Sequence, residues 1–569
     1  MQDKSLNIEK TDKSGYLIFL GTLIFYFLFK LPLNLSVLCS NTNEGFYFIF
    51  GQHLLNGTHF DAKEMSYPNL FFYLYALIVK LFGFGTNSIV VVHFIQTAIV
   101  VLISVVIYYV VKLLLDDVFY ASIAVLFWTL ILMTPIGQWG TTLELESSFA
   151  LEAEYLIVLI SLSSVYCLLR TFQNKNPFLM AFLAGFLGAS SIMFKASGAV
   201  MMLAIVCWII YLGLFEGKYF INYKNILFVM CLGFICSFIL FNIGIITQKN
   251  NLIDFWKCYF DVGVYGKEHI SSINGFLLSV FNFMTRYTTS LNNFILFFFG
   301  FISLGWGLIR NFFVKNNSLQ LRLVYPLLNI WAWGNVCSVI APGGYGSYYY
   351  ILVWPTIAIF FTLGIYDLLR GILNKKIFKI SLVVFITIFF THRFLVILPS
   401  YLSLVKRDFY LSIFFQPESF QDPVNLNLSQ NPHRPDFLKV ADLINSFLPK
   451  RNDTVYILNF KKEGQHFPAT TYIYMKRFPP TTAIADYLEY KKYLNVKLKV
   501  ISKTLINTPP KILLLPHRYY IKPWQAEALT PFLNWLNLFV SENYHLKINL
   551  TYADSNTNEI EICDVFERN

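Results

Sequence analysis

Charge is what this chain has least of. Asp, Glu, Lys and Arg make up 14% of its 569 residues, where a soluble domain carries about 25%. With 56% hydrophobic residues and a mean hydropathy of +0.54, that deficit excludes an ordinary soluble protein and implies a chain that crosses a membrane many times. Metal-binding patterns are missing too. The eight cysteines form no CxxC pair and no Cys/His cluster with ligand spacing, and most sit inside apolar segments as small hydrophobes. There is no DxD and no pair of His at i and i+4, so no metal and no cofactor are expected. No small-residue cleavage site follows the first apolar run, so no cleavable signal peptide is expected. The hydropathy pattern does not repeat internally, which tells against a transporter built from duplicated halves.

What is there in abundance is apolar length. A span needs about 20 residues, and runs of that kind lie near 15–35, 89–111, 119–136, 150–169, 177–194, 197–215, 225–247, 292–309, 323–341, 349–369 and 380–398. A twelfth candidate, "YPNLFFYLYALIVKLFG" (67–83), is decided by charge. If it does not span and the Lys-bearing N-terminus is cytoplasmic, the cytoplasmic turns hold Arg170 and Lys175, Lys218 and Lys224, Arg310, Lys315 and Arg322, and Arg370, Lys375, Lys376 and Lys379. The opposite side then holds only Lys195, Lys249, Lys257, Lys267 and Arg286 over the same range. Counting 67–83 as a crossing inverts all of these, so it reads as an amphipathic helix on the outer surface. The net charge of +11 is thus assigned to cytoplasmic loops, not to a nucleic-acid partner.

The expected fold class is a polytopic α-helical membrane protein of about eleven transmembrane helices, with outer juxtamembrane helices and a small C-terminal α/β soluble domain. The expected domains are 1–398, membrane-embedded, with a first outer loop at 36–88 carrying two surface helices, and 399–569, outside. Composition shifts after 398: "NPHRPDFLKVADLINSFLPKRNDTVYILNF" reads as a linker, an amphipathic helix and a strand. "KILLLP" (511–516) and "EIEICDVF" (559–566) read as further strands, with helical stretches between them. The expected location is the cell (inner) membrane, multi-pass, with the N-terminus cytoplasmic and the C-terminal domain periplasmic or extracellular.

Candidate chemistry gathers at the outer ends. In "NTNEGFYFIFGQHLL", Phe46, Ile49, Phe50 and Leu54 recur at helical spacing, and Glu44 opens the helix. Glu44 is either half of a capping box with Asn41 or a carboxylate held at the membrane surface where it can accept a proton. Asp61, Lys63 and Glu64 are either a solvated turn or the mouth of a site. In "LELESSFALEAEYL", Glu152 and Glu154 enter a span, where a lone carboxylate is expensive. Either the helix dipole holds them, or one faces a polar cavity, pairs with a cation or holds a sugar hydroxyl, and Glu154 is the better placed. Lys195 ends an apolar run on the outer side, as a snorkelling anchor or as a fixed cation. Lys267 and His269 lie in the long outer loop, which reads as solvated or site-facing, and Arg286 stands beside Tyr287 as an interfacial anchor or a further cation. The Tyr-rich "YGSYYYILVWP", with Tyr348 and Tyr349, is an aromatic belt or a platform for sugar rings.

The stretch 43–83 resembles the first outer loop of the GT-C membrane glycosyltransferases, in the branch of protein O-mannosyltransferases and aminoarabinose transferases. The residues that carry the likeness are Glu44, Tyr47, Gly57, Asp61, Pro68, "FYLYAL" (72–77) and Phe82-Gly83. Looser matches are "GFLGASSIMFKASG" (185–198) and "GGYGSYYYILVWP" (343–355). The resemblance implies an inverting transfer of sugar from a polyprenyl-phosphate donor to a glycan, lipid or protein acceptor on the outer side of the membrane, with membrane lipid as surroundings and no nucleic acid. A carboxylate would deprotonate the acceptor hydroxyl, and fixed cations would neutralise the departing phosphate. One departure stands out: the family's leading acid is Asn43 here, and Asn takes no proton. Either the role falls to Glu44 or to Asp61, or the chain has changed its chemistry. Substrate contacts are expected from Asn43, Tyr47, Glu154, Lys195, Lys267, His269, Arg286, Tyr348 and Tyr349, with Tyr348 standing where relatives often carry His. The alternatives are a transporter or flippase for a lipid-linked glycan, or a non-catalytic envelope assembly protein.

Overall fold

The computed structural model describes residues 2–39, 42–57, 70–134, 149–173, 176–216, 223–247, 252–263, 291–313, 319–340, 347–370, 375–413, 425–427, 436–448, 453–458, 470–476, 479–480, 494–516, 526–553 and 560–569. A helix falls on each of the eleven apolar runs. They are α1 (Gln2–Asn34), α4 (Thr86–Leu115), α5 (Val118–Met133), α6 (Ala153–Thr171), α7 (Pro177–Ser190) and α8 (Ala199–Phe215). After these come α9 (Lys224–Thr247), α11 (Leu291–Phe313), α12 (Leu319–Ile340), α13 (Trp354–Arg370) and α14 (Lys375–Ile413). Two further helices, α2 (Thr42–Leu55) and α3 (Leu70–Phe82), occupy the first loop, and α10 (Leu252–Gly263) follows α9. Among the described residues, 7 helices are long and apolar enough to cross a membrane by length and composition, and shorter apolar helices fall on the other expected spans. Their outward faces are greasy: Leu17, Leu20, Ile24 and Leu28 on α1 and Phe228, Ile235, Ile239 and Leu240 on α9 are all exposed. Apolar surface of that extent suits hydrocarbon, not water.

The chain divides into two compact units: Met1–Asn34 with His93–Thr247 and Tyr259–Lys406, and Leu35–Val92 with Gln248–Cys258 and Arg407–Asn569. In the first, small residues let helix backbones meet. A Cβ on Gly185 would stand 1.9 Å from the Met230 carbonyl oxygen, and one on Gly233 2.1 Å from that of Phe182, so α7 and α9 touch backbone to backbone as membrane helices do at small residues. One buried charge pair in this unit is closed by good geometry. Arg310 grips Asp367 through Nε at 2.5 Å and Nη2 at 2.9 Å, and Trp306 Nε1 donates to the same carboxylate at 3.2 Å.

In the second unit, α3 is 13 residues long, about 20 Å, short of the ~30 Å hydrocarbon core. Phe71, Phe72, Tyr75, Ala76, Ile78 and Val79 are buried. α3 packs against α2, whose Gly51 permits the approach: a Cβ there would lie 2.7 Å from the Ala76 nitrogen. The C-terminal part carries a five-stranded sheet in the order β1-β4-β5-β3-β2, with β1 Asn425–Asn427, β2 Val455–Ile457, β3 Ile512–Pro516, β4 Tyr544–Ala553 and β5 Ile560–Arg568. β2 runs parallel to β3 and β1 to β4, while β5 is antiparallel to both of its neighbours. Ile512, Leu513, Leu514 and Leu515 are all buried, so both faces of the sheet are covered. Leu513 and Leu515 pack with Leu498, Ile501 and Leu536 from helices α17 (Leu494–Asn507) and α18 (Ala526–Asn543). The remaining helices are α15 (Asp436–Phe447) and α16 (Thr470–Met475). Strand β4 falls in a stretch expected to be helical, although "YHLKINLTY" (544–552) alternates apolar and polar residues as a strand does. Neither Cys39 nor Cys563 is part of a disulfide.

Candidate active site

The first unit brings together three residues that are far apart in sequence. Glu154 stands in the first turn of α6, where the helix dipole favours an acid, and it is wholly buried. Lys195 comes from a break in the helical path. After α7 the chain forms two short 3-10 turns, Ser191–Met193 and Ala196–Gly198, and Lys195 between them is fully extended. The break is closed by the Ser191 hydroxyl, 2.7 Å from the carbonyls of both Gly188 and Gly198. Gly198 approaches so closely that a Cβ would meet the Ser191 carbonyl oxygen at 2.0 Å. Lys195 Nζ then reaches Glu154 Oε1 at 2.6 Å and lies 4.7 Å from the centre of the Tyr349 ring. Tyr349 belongs to a 3-10 turn, Ser347–Leu352, packed against α6.

This arrangement has a definite chemical capacity. A buried ion pair holds only with good geometry and further hydrogen bonds. The second carboxylate oxygen, Glu154 Oε2, is buried and accepts no hydrogen bond among the described residues. A hydroxyl donated by a ligand would satisfy it, with the Tyr349 ring as a flat wall beside it. From Tyr350, the next residue of the same turn, an apolar groove runs between α11, α12 and α13, lined by Phe301, Leu304, Val336, Trp354 and Ile357 among others.

The second unit holds Glu44. It is the third residue of α2, in the first turn, and is completely buried. Around it stand groups from the far end of the sequence. The Cys39 N–H donates to the Tyr474 hydroxyl at 3.0 Å, and that hydroxyl donates to the Val37 carbonyl at 3.2 Å. Burial first, and then the nearby Glu44 charge, push the Cys39 thiol well above its ordinary range. The Tyr474 hydroxyl is likewise held well above its ordinary value, by burial first and also by the charges of Cys39 and Glu44. Asn43 and Tyr47 are half-buried on the same helix, with the Tyr47 ring edge-on to Phe71 at 4.7 Å. At the other end of α2, His53 is buried and hydrogen-bonded to the Pro479 backbone, and burial pushes it down to about 4.

Asp61, Lys63, Glu64, Lys267, His269 and Arg286 lie outside the described residues. Tyr348 falls in the Ser347–Leu352 turn, its side chain likewise outside them. Sequence reasoning passed over other buried charges in the first unit. Lys30 is 1% exposed, with Nζ 3.3 Å from the Phe149 carbonyl oxygen and 4.3 Å from the centre of its ring. Arg393 donates to the Thr134 carbonyl at 2.8 Å. Each is a single cation inside an apolar run, which is itself the signal for a buried, partnered charge. Among the described residues, no group of three or more His, Cys, Asp or Glu could hold a metal ion.

No protein-family model matches the chain, and no curated protein matches it by sequence. Solved structures do match. ArnT from Cupriavidus metallidurans bound to undecaprenyl phosphate superposes with a TM-score of 0.52 at 11% identity, over 97% of this chain and 97% of its own. The apo state of the same protein gives 0.51 at 12% identity, over 97% and 98%. An oligosaccharyltransferase from Archaeoglobus fulgidus gives 0.49 at 13% identity, over 87% of this chain and 69% of its own. At such identities a likeness speaks for the fold alone, and the ArnT match runs almost end to end on both sides. The chain has the GT-C fold that its first outer loop resembles.

Proposed function

We propose that this chain is an integral membrane glycosyltransferase that moves a sugar from a polyprenyl-phosphate donor to an acceptor on the outer side of the membrane, with inversion. The observation that carries the reading is the end-to-end match to ArnT, a protein seen bound to undecaprenyl phosphate, together with a buried carboxylate at Glu44 in the first-loop helix. Positive charge on alternate turns supports an N-terminus inside and a C-terminal domain outside, in the cell membrane.

Glu44 is the base. It takes the proton of the acceptor hydroxyl, whose oxygen attacks the anomeric carbon while the bond to phosphate breaks. Asn43, unable to take a proton, serves as a donor and acceptor of hydrogen bonds to substrate. Asp61 is the second candidate for the base. The Glu154–Lys195 pair suits sugar hydroxyls better than the leaving phosphate, because Glu154 already answers the lysine's charge at 2.6 Å. In this reading Tyr349 stacks on the sugar. The apolar groove beside Tyr350 suits an isoprenoid tail. Lys267 and Arg286 remain the candidates to neutralise the phosphate.

The test is Glu44→Gln in a strain lacking the wild-type chain, with mass analysis of envelope glycolipids and glycans. Transfer should fall by about 10²–10⁴-fold, the scale of a lost general base, while the protein still folds and inserts. Unchanged glycan products would overturn the assignment of Glu44.

A further inference from the structure

We propose that Tyr474 is a positioning residue for the catalytic end of α2, and that residues 470–476 and 479–480 of the C-terminal domain are the strap that sets the first-loop helix. The inference rests on the reading of Glu44 as base, and it adds a job for a domain that this reading leaves idle.

The backbone needs such a strap. Residues 35–39, which lead into α2, form no helix or strand, so their N–H and carbonyl groups have no ladder to pair with, and buried backbone groups must be paired somehow. Tyr474 supplies both partners from one oxygen, taking the Cys39 N–H and giving its own proton to Val37. Phe would keep the ring and lose both bonds. Its hydroxyl and the Cys39 thiol sit close enough to Glu44 to feel its charge, so a shift of Tyr474 is a shift of the base's surroundings.

The strap holds at more than one point. It packs along α2 through α16. Lys476 then adopts the left-handed conformation, φ 54°, which ends α16 and turns the chain. Beyond it, the Pro479 backbone takes the His53 ring at the opposite end of α2. Both ends of a 14-residue helix are thereby fixed by one segment more than 400 residues later in sequence. Catalytic geometry tolerates little misplacement, since an error of about 1 Å can cost about 10²-fold. A domain that pins the base's helix twice therefore bears on rate.

The experiment compares full-length wild type, Tyr474→Phe and Glu44→Gln in lipid nanodiscs. The donor probe is the pool of polyprenyl-phosphate sugars extracted from host membranes. Tyr474→Phe is expected to lower kcat about 10-fold with KM within twofold of wild type, and to speed alkylation of Cys39 by N-ethylmaleimide, read by peptide mass spectrometry, at least about 10-fold. A raised KM with kcat unchanged, or wild-type values of both kcat and Cys39 alkylation, overturns the proposal. If Glu44→Gln keeps full activity while Tyr474→Phe still frees Cys39, the strap stands and Glu44 is not the base. Should Tyr474→Phe fail to fold, hydrogen exchange on the wild type decides. Peptides covering 35–41 and 470–476 should be protected together, and free exchange at 35–41 alone sinks the idea.

Discussion

Glu44 and Glu154 look alike in position and differ in company. Each stands in the first turn of a helix and is wholly buried, and each gains from the helix dipole. Glu154 has an ammonium 2.6 Å away, with an aromatic ring beyond it. Glu44 has a thiol and a phenol beside it, both pushed to keep their protons. A carboxylate with an ammonium at hydrogen-bond distance has one oxygen committed and is fixed in direction, which suits holding a hydroxyl. In the proposed reading, the carboxylate beside groups that keep their protons is the base. On that proposal the same residue type at the same helical position takes two tasks, set by its neighbours.

The largest effect that separates the two is on turnover. Glu44→Gln should cost about 10²–10⁴ in kcat. Glu154→Gln should act mainly by raising KM, since it removes binding present in ground state and transition state alike. Steady-state kinetics on both variants checks this, and a kcat loss in Glu154→Gln as large as in Glu44→Gln would erase the distinction. Next comes stability. Lys195→Met leaves Glu154 buried without its cation, which should destabilise the first unit by about 3–5 kcal/mol, whereas Lys195→Met with Glu154→Gln should recover most of that loss. Unfolding midpoints in detergent measure it. Equal losses in the single and double variants would show that Glu154 does not depend on Lys195.

The sequence made part of this legible, for physical reasons. Apolar length marks the spans, because a bilayer demands about 20 residues of it, and each run is a helix. Glu154 and Lys195 each stand out as a charge at the edge of an apolar run. Their pairing is not readable, since it depends on the 3-10 break at Ser191–Gly198 and on Gly198 meeting the Ser191 carbonyl. Tyr474 and His53 carry no local signal at all. Their partners lie hundreds of residues away, and nothing in "TTYIYMKRFPP" says where it docks. Strand β4 is legible where helix is expected: Tyr544, Leu546, Ile548, Leu550 and Tyr552 alternate with polar residues at a period of two.

His53 tests the surroundings of the Glu44 helix by pH. Its unfolded value is 6.5 and its folded value about 4, lowered chiefly by burial. Between those values the unfolded chain binds more protons, so stability is full above about pH 6.5 and falls as pH drops toward 4, by about 3 kcal/mol in all. His53→Gln should flatten that slope while keeping a donor for Pro479. Unfolding midpoints of both proteins between pH 7 and pH 4.5, as orders of magnitude, decide it. An equally steep slope in the variant would place the acid sensitivity elsewhere.

The smallest effect calibrates the others. Glu567 on β5 is also a carboxylate held by lysines, Lys547 at 2.7 Å and Lys511 at 3.4 Å. Its carboxyl is held below the ordinary range, chiefly by the Lys547 hydrogen bond. A lowered acid stabilises the fold above its unfolded value and loses that contribution as pH falls through the folded one. Both lysines are more than a third exposed, at 38% and 41%, so water screens the attraction. Glu567→Gln should therefore cost less than about 1 kcal/mol at neutral pH, and the cost should shrink further in high salt. The contrast with Lys195→Met then isolates burial as the variable, because the 2.7 Å contact is nearly as short as the 2.6 Å one. A loss at Glu567 as large as that at Lys195 would mean that short contact, not burial, sets the worth of these pairs.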